Sequence, residues 1–200
     1  MTKLILASQS PRRRELLEMM TRDFAVEVSQ ADETLPAGIH PAQGVRELAL
    51  RKARAVAELQ PREGQDWCVI GADTLVALDR RILGKPRDAA QCREMLEALS
   101  GRRHTVYTAV ALVTPARHRV FCQEAQVEFY PLTPEEIAAY AATDEPYDKA
   151  GAYGIQGRGA LLVRGITGDF YTVMGLPVAQ LYRELVGLGA LDGPAPGQNS

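Results

Sequence analysis

Apolar residues along the chain alternate between short continuous runs and stretches of helical period. Lys3–Ala7, Phe24–Val28 and Trp67–Ile70 read as strands, bounded by turn residues and too short for helices. Ser10-Pro11 opens a helix, with serine as N-cap and proline at the first helical position. A loop bearing proline, glycine and Asp32-Glu33 then leads into a long helix from about Ala42 to Leu59. The run from Trp67 is expected to end at Gly71-Ala72-Asp73-Thr74, with Thr74–Leu78 and Ile82–Leu83 forming a hairpin across Asp79-Arg80-Arg81. Asp88 with Gln91, and Thr133 with Glu136, have the spacing of capping boxes that start two further helices. Gly101 closes the first of them, and the second runs to about Ala142. Thr105–Val113 and Val120–Phe129, with Pro115 between them, predict a long hairpin. Tyr147–Gly159 is dense in glycine and reads as an ordered loop, Leu161–Ile166 as a strand and Pro177–Val186 as the last helix. Strands alternating with helices, plus a long hairpin, predict an α/β domain with a mixed sheet. No repeat or linker divides the chain, so one domain is expected over 1–188, followed by a disordered tail at 189–200.

Composition narrows the partners. The 200 residues are 46% hydrophobic and 24% charged, the balance of an ordinary globular protein. Lys+Arg is 23 against 25 Asp+Glu, a net charge of -2. A protein that grips nucleic acid by its backbone carries a basic excess, so no nucleic-acid partner is expected. Any anionic ligand has to be met by a local cluster of cations. The longest apolar runs, such as Thr108–Val113, fall far short of the roughly 20 residues of a membrane span, and no apolar segment near Met1 has the form of a signal peptide. Cys68, Cys92 and Cys122 are odd in number and widely spaced, which fits reduced thiols and a cytoplasmic location.

The familiar nucleotide and metal motifs are absent: no phosphate-loop G-x-x-x-x-G-K-[ST], no H-E-x-x-H, no C-x-x-C. Gly154-Ile155-Gln156-Gly157-Arg158-Gly159 has the wrong glycine spacing for a dinucleotide fingerprint. His40, His104 and His118 are scattered and read as structural or exposed. What remains is charge in awkward places. Arg12, Arg13 and Arg14 fill the first turn of the first helix, where the helix dipole disfavours cations. They make sense if the helix N-terminus and its arginines hold an anion such as phosphate, with Ser8 in the preceding loop. A solvated basic turn is the plainer alternative. Arg13 shares its helical face with Leu17 and Met20 and should point inward, whereas Arg14 should point elsewhere. Lys52 stands in the apolar stripe Val45, Leu48, Ala49, Val56, so it either snorkels to an edge or faces a polar cleft. Asp73, expected at the C-terminal end of a strand where open α/β sheets place ligands, suits a metal ligand or general base, or else an Asx-turn opening the hairpin. Glu33 would supply a second carboxylate for a hard cation such as Mg²⁺, and Lys85, between Gly84 and Pro86, another cation. Together these residues carry the inventory for metal-assisted attack of water on a phosphate chain.

Several segments, in order, resemble the Maf family of nucleoside triphosphate pyrophosphatases: Leu4–Arg13, Gly71-Ala72-Asp73-Thr74, Gly84-Lys85-Pro86, Ser100–Thr108 and Asp148–Gly157. The resemblance spans about Lys3 to Leu185. It implies an ITPase-like elongated mixed sheet flanked by helices, with two lobes around a deep cleft. It also implies hydrolysis of a nucleoside triphosphate to the monophosphate and pyrophosphate with a divalent cation, Mg²⁺ or Mn²⁺, by a protein that is usually a homodimer. By position, Asp73 matches the family's proton acceptor, with Glu33 as the second acidic residue and metal partner. Ser8, Arg13, Lys52 and Lys85 match its phosphate-binding groups, while Arg12, Thr74 and Gln156 match the positions tied to substrate choice. The Asp148–Gly157 segment resembles the branch acting on dTTP and UTP, with modified pyrimidine triphosphates within its range, rather than the one acting on 7-methyl-GTP. Thr172 stands where the family usually has asparagine, a departure that bears on local hydrogen bonding. The alternative is a non-catalytic nucleotide-binding regulator of cell division, since the family name is tied to septum formation; the intact Asp73, Glu33 and Lys85 favour the enzyme.

Overall fold

A computed structural model describes residues 2–61 and 66–193 of the chain. In chain order the strands are β1 (Lys3–Leu6), β2 (Phe24–Val26), β3 (Trp67–Leu78), β4 (Arg81–Leu83), β5 (Arg103–Val113), β6 (His118–Phe129) and β7 (Val163–Thr167). The helices are α1 (Pro11–Glu18), α2 (Pro41–Ala57), α3 (Ala89–Leu99), α4 (Pro134–Ala141), α5 (Phe170–Met174) and α6 (Val178–Gly187). Local chemistry starts the helices where the sequence indicates. The Ser10 side chain accepts from the Arg13 N–H, with Pro11 following, and Thr133 and Glu136 complete a reciprocal capping box. Asp88 accepts from the Gln91 N–H, but the Gln91 side chain reaches the Arg87 N–H instead of closing the box on Asp88.

The strands form one 7-stranded sheet in the order β2-β1-β3-β5-β6-β7, with β4 on the edge of β3. β1 pairs in parallel with β2 and β3, and every other pairing is antiparallel. β3 is where the structure departs from the sequence reading. It runs unbroken through Gly71–Thr74, because β5 offers an antiparallel partner continuously from Val69 to Ala77. Asp73 therefore sits in a strand interior, not at a strand end. The hairpin that follows is as expected: Asp79 and Arg80 both have positive φ, the backbone that a two-residue turn of this hand requires.

Three apolar clusters divide the molecule. One, with α1, α5 and α6, covers one face of the β1–β3–β5 region. A second, with α2, covers the other face. The third gathers α3, α4 and the Ala150–Tyr153 segment around the far ends of β3, β5 and β6. The long strands thus carry two lobes with a cleft between them. Burial continues past α6: Ala190 is buried and Leu191 packs against the first cluster. Residues 194–200 of the expected tail lie outside the described residues. Among the described residues no helix is long and apolar enough to cross a membrane.

Candidate active site

The cleft opens where the sheet is incomplete. On one edge of β3, β1 pairs as far as Ile70 and β4 begins at Val76. Between them, among the described residues, Gly71–Leu75 are paired on the β5 side alone. Successive side chains of a strand point to opposite faces, so Asp73 faces α2 while Thr74 faces α1. The gap lets both reach the same cavity of about 700 Å³, a volume typical of small-molecule sites.

On the α2 face, Lys52 Nζ lies 2.5 Å from Asp73 Oδ1 and 3.0 Å from Glu33 Oε1. The lysine and aspartate side chains are 13% and 9% exposed, and Glu33 is 60% exposed at the rim. Of the two readings of Lys52, the polar cleft is the observed one. Gly71 makes this contact attainable. A Cβ there would stand 2.4 Å from the Ala49 carbonyl oxygen and 2.6 Å from the Ala53 nitrogen, so only glycine lets α2 lie this close to β3.

On the other face Arg13 points inward, as its spacing with Leu17 and Met20 indicates, while Arg14 pairs with Glu18 at the surface. Arg13 Nε donates to the Gly175 carbonyl (2.9 Å), Nη2 to Thr74 Oγ1 (3.1 Å) and Nη1 to Ser8 Oγ (3.5 Å). Burial pulls the guanidinium pKa below its ordinary value, and the charge of Asp73 opposes that shift. Arg12 reaches across the mouth of the cleft to Asp148 at 3.3 Å. Lys85 and Gln156 line the same cavity. Every position singled out for the site is thus at or beside one cleft, with Ser8 just behind Arg13.

Opposite the carboxylates, Tyr153 forms part of the wall, its ring edge-on to His104 and Phe129 at centroid distances of 5.3 and 4.8 Å. Its hydroxyl meets His104 Nε2 at 2.7 Å. The imidazole is buried, its Nδ1 has no partner among the described residues, and burial pushes its pKa down to about 4. His104 is thus structural and neutral. Thr172, the departure from the family pattern, is fully buried and satisfied. Its N–H and hydroxyl reach Asp169 Oδ2, both at 2.7 Å, and its carbonyl accepts from Thr108 Oγ1 at 2.7 Å.

Sequence reasoning passed over Thr108, whose hydroxyl sits 2.9 Å from Thr74 Oγ1 and fixes it for Arg13. Gly175 was likewise passed over as an acceptor. Thr108 signals itself only as a polar residue inside the apolar run of β5, and Gly175, which contributes a backbone carbonyl, gives no side-chain signal. As for a cation, Asp73 and Glu33 converge on one ammonium, yet among the described residues no group of three or more histidine, cysteine or acidic side chains is placed to hold a metal. Two carboxylates suit Mg²⁺, which commonly takes one or two of them together with substrate phosphates.

The comparisons agree with this architecture. The family described as Maf-like protein matches residues 3–188. A dTTP/UTP pyrophosphatase of Bacillus cytotoxicus is 54% identical over 185 residues, covering 92% of this chain and 95% of that protein. One from Bacillus thuringiensis subsp. konkukian is 50% identical with the same coverage. Among solved structures, the Staphylococcus aureus Ham1 protein aligns with a TM-score of 0.50 at 13% identity, covering 94% of this chain and 100% of its own, a likeness of fold.

Proposed function

The chain belongs to the Maf-like protein family and acts as a nucleoside triphosphate pyrophosphatase, and we propose that dTTP and UTP are its substrates, cut between the α and β phosphates to monophosphate and pyrophosphate. The observation that carries this reading is the meeting of Lys52 with Asp73 and Glu33 on one side of β3 and of Arg13 with Thr74 on the other, both at one cleft. Cations and carboxylates so arranged can bind a polyphosphate and still retain a base beside it.

In this reading Arg13, Lys85 and the Arg12 N–H in the first turn of α1 bind the phosphates, with Ser8 holding Arg13 in place. Asp73 accepts the proton of the attacking water. Lys52 bridges the two carboxylates in the free protein and turns to the incoming phosphate when the cleft fills. Asp73 and Glu33 would hold a divalent cation, Mg²⁺ or Mn²⁺, whose chemistry is to polarise the phosphoryl oxygens and offset their charge. Gln156 presents a donor beside an acceptor, the complement of the N3–H and O4 edge shared by thymine and uracil. Arg12 and Thr74 flank the path between base and phosphates. The protein is proposed to work in the cytoplasm as a homodimer, and light scattering of the purified chain tests the dimer.

Product analysis decides the reaction. Incubation with a nucleotide panel, with and without Mg²⁺ or Mn²⁺, should yield equal amounts of monophosphate and pyrophosphate from dTTP and UTP, in the metal-containing samples only. Release of orthophosphate with a diphosphate product would overturn the assignment, and turnover in chelator would remove the metal from it.

A further inference from the structure

The glycines of Gly154-Ile155-Gln156-Gly157-Arg158-Gly159 fit no nucleotide fingerprint, and the structure shows what they surround. The Glu145 carboxylate lies inside this loop. Its Oε2 accepts from the Arg158 N–H at 2.8 Å, and its Oε1 accepts from the Gly159 N–H and the Tyr140 hydroxyl, both at 3.0 Å. The Tyr140 oxygen in turn accepts from the Gly154 N–H at 3.1 Å. Lys149 Nζ donates to the Glu145 carbonyl at 2.6 Å, closing the base of the loop. Backbone N–H groups that converge in this way form anion-binding nests. Here the anion is a side chain of the same chain, so the nest is already filled.

The fit explains the glycine spacing. A Cβ on Gly157 would stand 2.4 Å from Glu145 Oε2, and one on Gly159 would stand 2.3 Å from the Gly154 carbonyl oxygen and 2.7 Å from the Tyr140 hydroxyl. Burial opposes ionisation of Glu145, but the Gly159 and Arg158 N–H groups, the Tyr140 hydroxyl and Lys149 outweigh it and hold the carboxyl below its ordinary range. Gln156 lies between the ends of the loop held in this way and lines the cleft.

We propose that Glu145 is a positioning residue for base recognition: its carboxylate is the internal anion around which the 154–159 loop folds, and it thereby sets Gln156 against the substrate base. The kinetic side of this proposal rests on the reading of the chain as a dTTP/UTP pyrophosphatase. Its structural side does not.

Glu145→Gln tests it, because the amide keeps the size of the side chain but loses the charge and sets an NH₂ group against a backbone N–H. Two measurements are paired. Amide hydrogen exchange of the ligand-free protein should show faster exchange at Arg158 and Gly159. Steady-state kinetics should show kcat/KM on dTTP falling roughly tenfold, mainly through KM, the scale of one lost charge-assisted hydrogen bond. Inhibition by inorganic tripolyphosphate, which has no base, should stay as in the wild type. Gly157→Ala keeps Glu145 but pushes a methyl into its carboxylate, so it should reproduce both signatures. The double variant should be no worse than the poorer single one, because the two changes break the same contact. Unchanged exchange in the loop, an equal loss on dTTP and tripolyphosphate, or additive losses in the double variant would each overturn the proposal. A wild-type protein that turned over neither dTTP nor UTP would sink the substrate reading on its own. The exchange measurement, which needs no substrate, would still decide whether Glu145 holds the loop.

Discussion

The two ends of the cleft are held together by different kinds of contact. At the Lys52 end, an ammonium joins two carboxylates through side chains alone, at 2.5 and 3.0 Å, with Glu33 largely in solvent. At the Gln156 end, the Glu145 carboxylate is bound by backbone N–H groups, and Tyr153 is wedged between His104 and Phe129 in the third apolar cluster. Side-chain ion pairs can exchange one anion for another at the cost of a few rotamers. A loop bonded through its backbone moves only if its hydrogen bonds break together. The first arrangement suits a charged group that enters and leaves with each turnover, and the second suits a template that reads shape and hydrogen-bond pattern.

If that contrast is right, damage at the Lys52 end should affect all nucleotides alike, and damage at the Gln156 end should act on selectivity and stability. The largest effect is expected for Asp73→Asn, which preserves shape and removes the base. Pyrophosphate release should fall by roughly 10²-fold or more in kcat, to the same degree on every nucleotide. Near wild-type turnover would remove Asp73 from the mechanism.

His104 provides a stability test at the other end. Its folded pKa of about 4 lies below its ordinary value of 6.5. Above pH 6.5 both folded and unfolded chains carry the neutral ring. As pH falls below that value the unfolded chain takes up a proton that the folded one refuses, so stability declines until about pH 4. By pH 5 the loss should reach about 2 kcal/mol relative to pH 8. Urea unfolding at pH 8 and pH 5 measures it, and His104→Phe should remove most of the difference. Equal pH dependence in the two proteins would clear His104 of the role.

Gln156→Glu should come next, lowering kcat/KM on dTTP and UTP by roughly tenfold or more because a carboxylate oxygen replaces the amide donor and leaves the O4 of the base without its partner, with far less change on purine triphosphates. A uniform loss would mean that Gln156 only supports its loop. The smallest effect is expected where the ends touch. Arg12 and Asp148 pair across the mouth, but Asp148 is 60% exposed, and exposed pairs contribute about 0–1 kcal/mol. Arg12→Gln, which removes this pair and leaves the contact of Asp148 with Lys149 in place, should leave the thermal midpoint close to wild type, and a large drop would mean that the two ends are mechanically tied.

Much of this was legible along the chain because it depends on neighbours in sequence. Ser10, Asp88 and Thr133 cap helices through bonds to N–H groups three residues away. The inward turn of Arg13 follows from helical period, and the 79–81 hairpin from its turn residues. The roles of Asp73, Lys52 and Lys85 were suggested by charge out of place and given sharper form by family resemblance. α5, at five residues, is too short to show a period and was missed. The end wrongly expected for β3 at Gly71–Thr74 follows the same logic: glycine and aspartate are poor strand formers locally, and only a ladder to β5, more than thirty residues away in sequence, carries the strand through them.

What the sequence determined by itself is therefore most of the elements, their N-terminal caps and the identity of the charged groups, all written in contacts of one to four residues. What tertiary structure decided is which of those groups meet. Lys52 reaches Asp73 because Gly71 admits α2 against the sheet. Asp73 and Thr74 share a cavity because β1 and β4 leave a gap on one edge of β3. The glycine loop takes its shape from a carboxylate nine residues or more before its glycines. Each of these depends on how closely two distant backbones approach, a distance set by packing and by the absence of a single Cβ, and no periodicity along the chain encodes it.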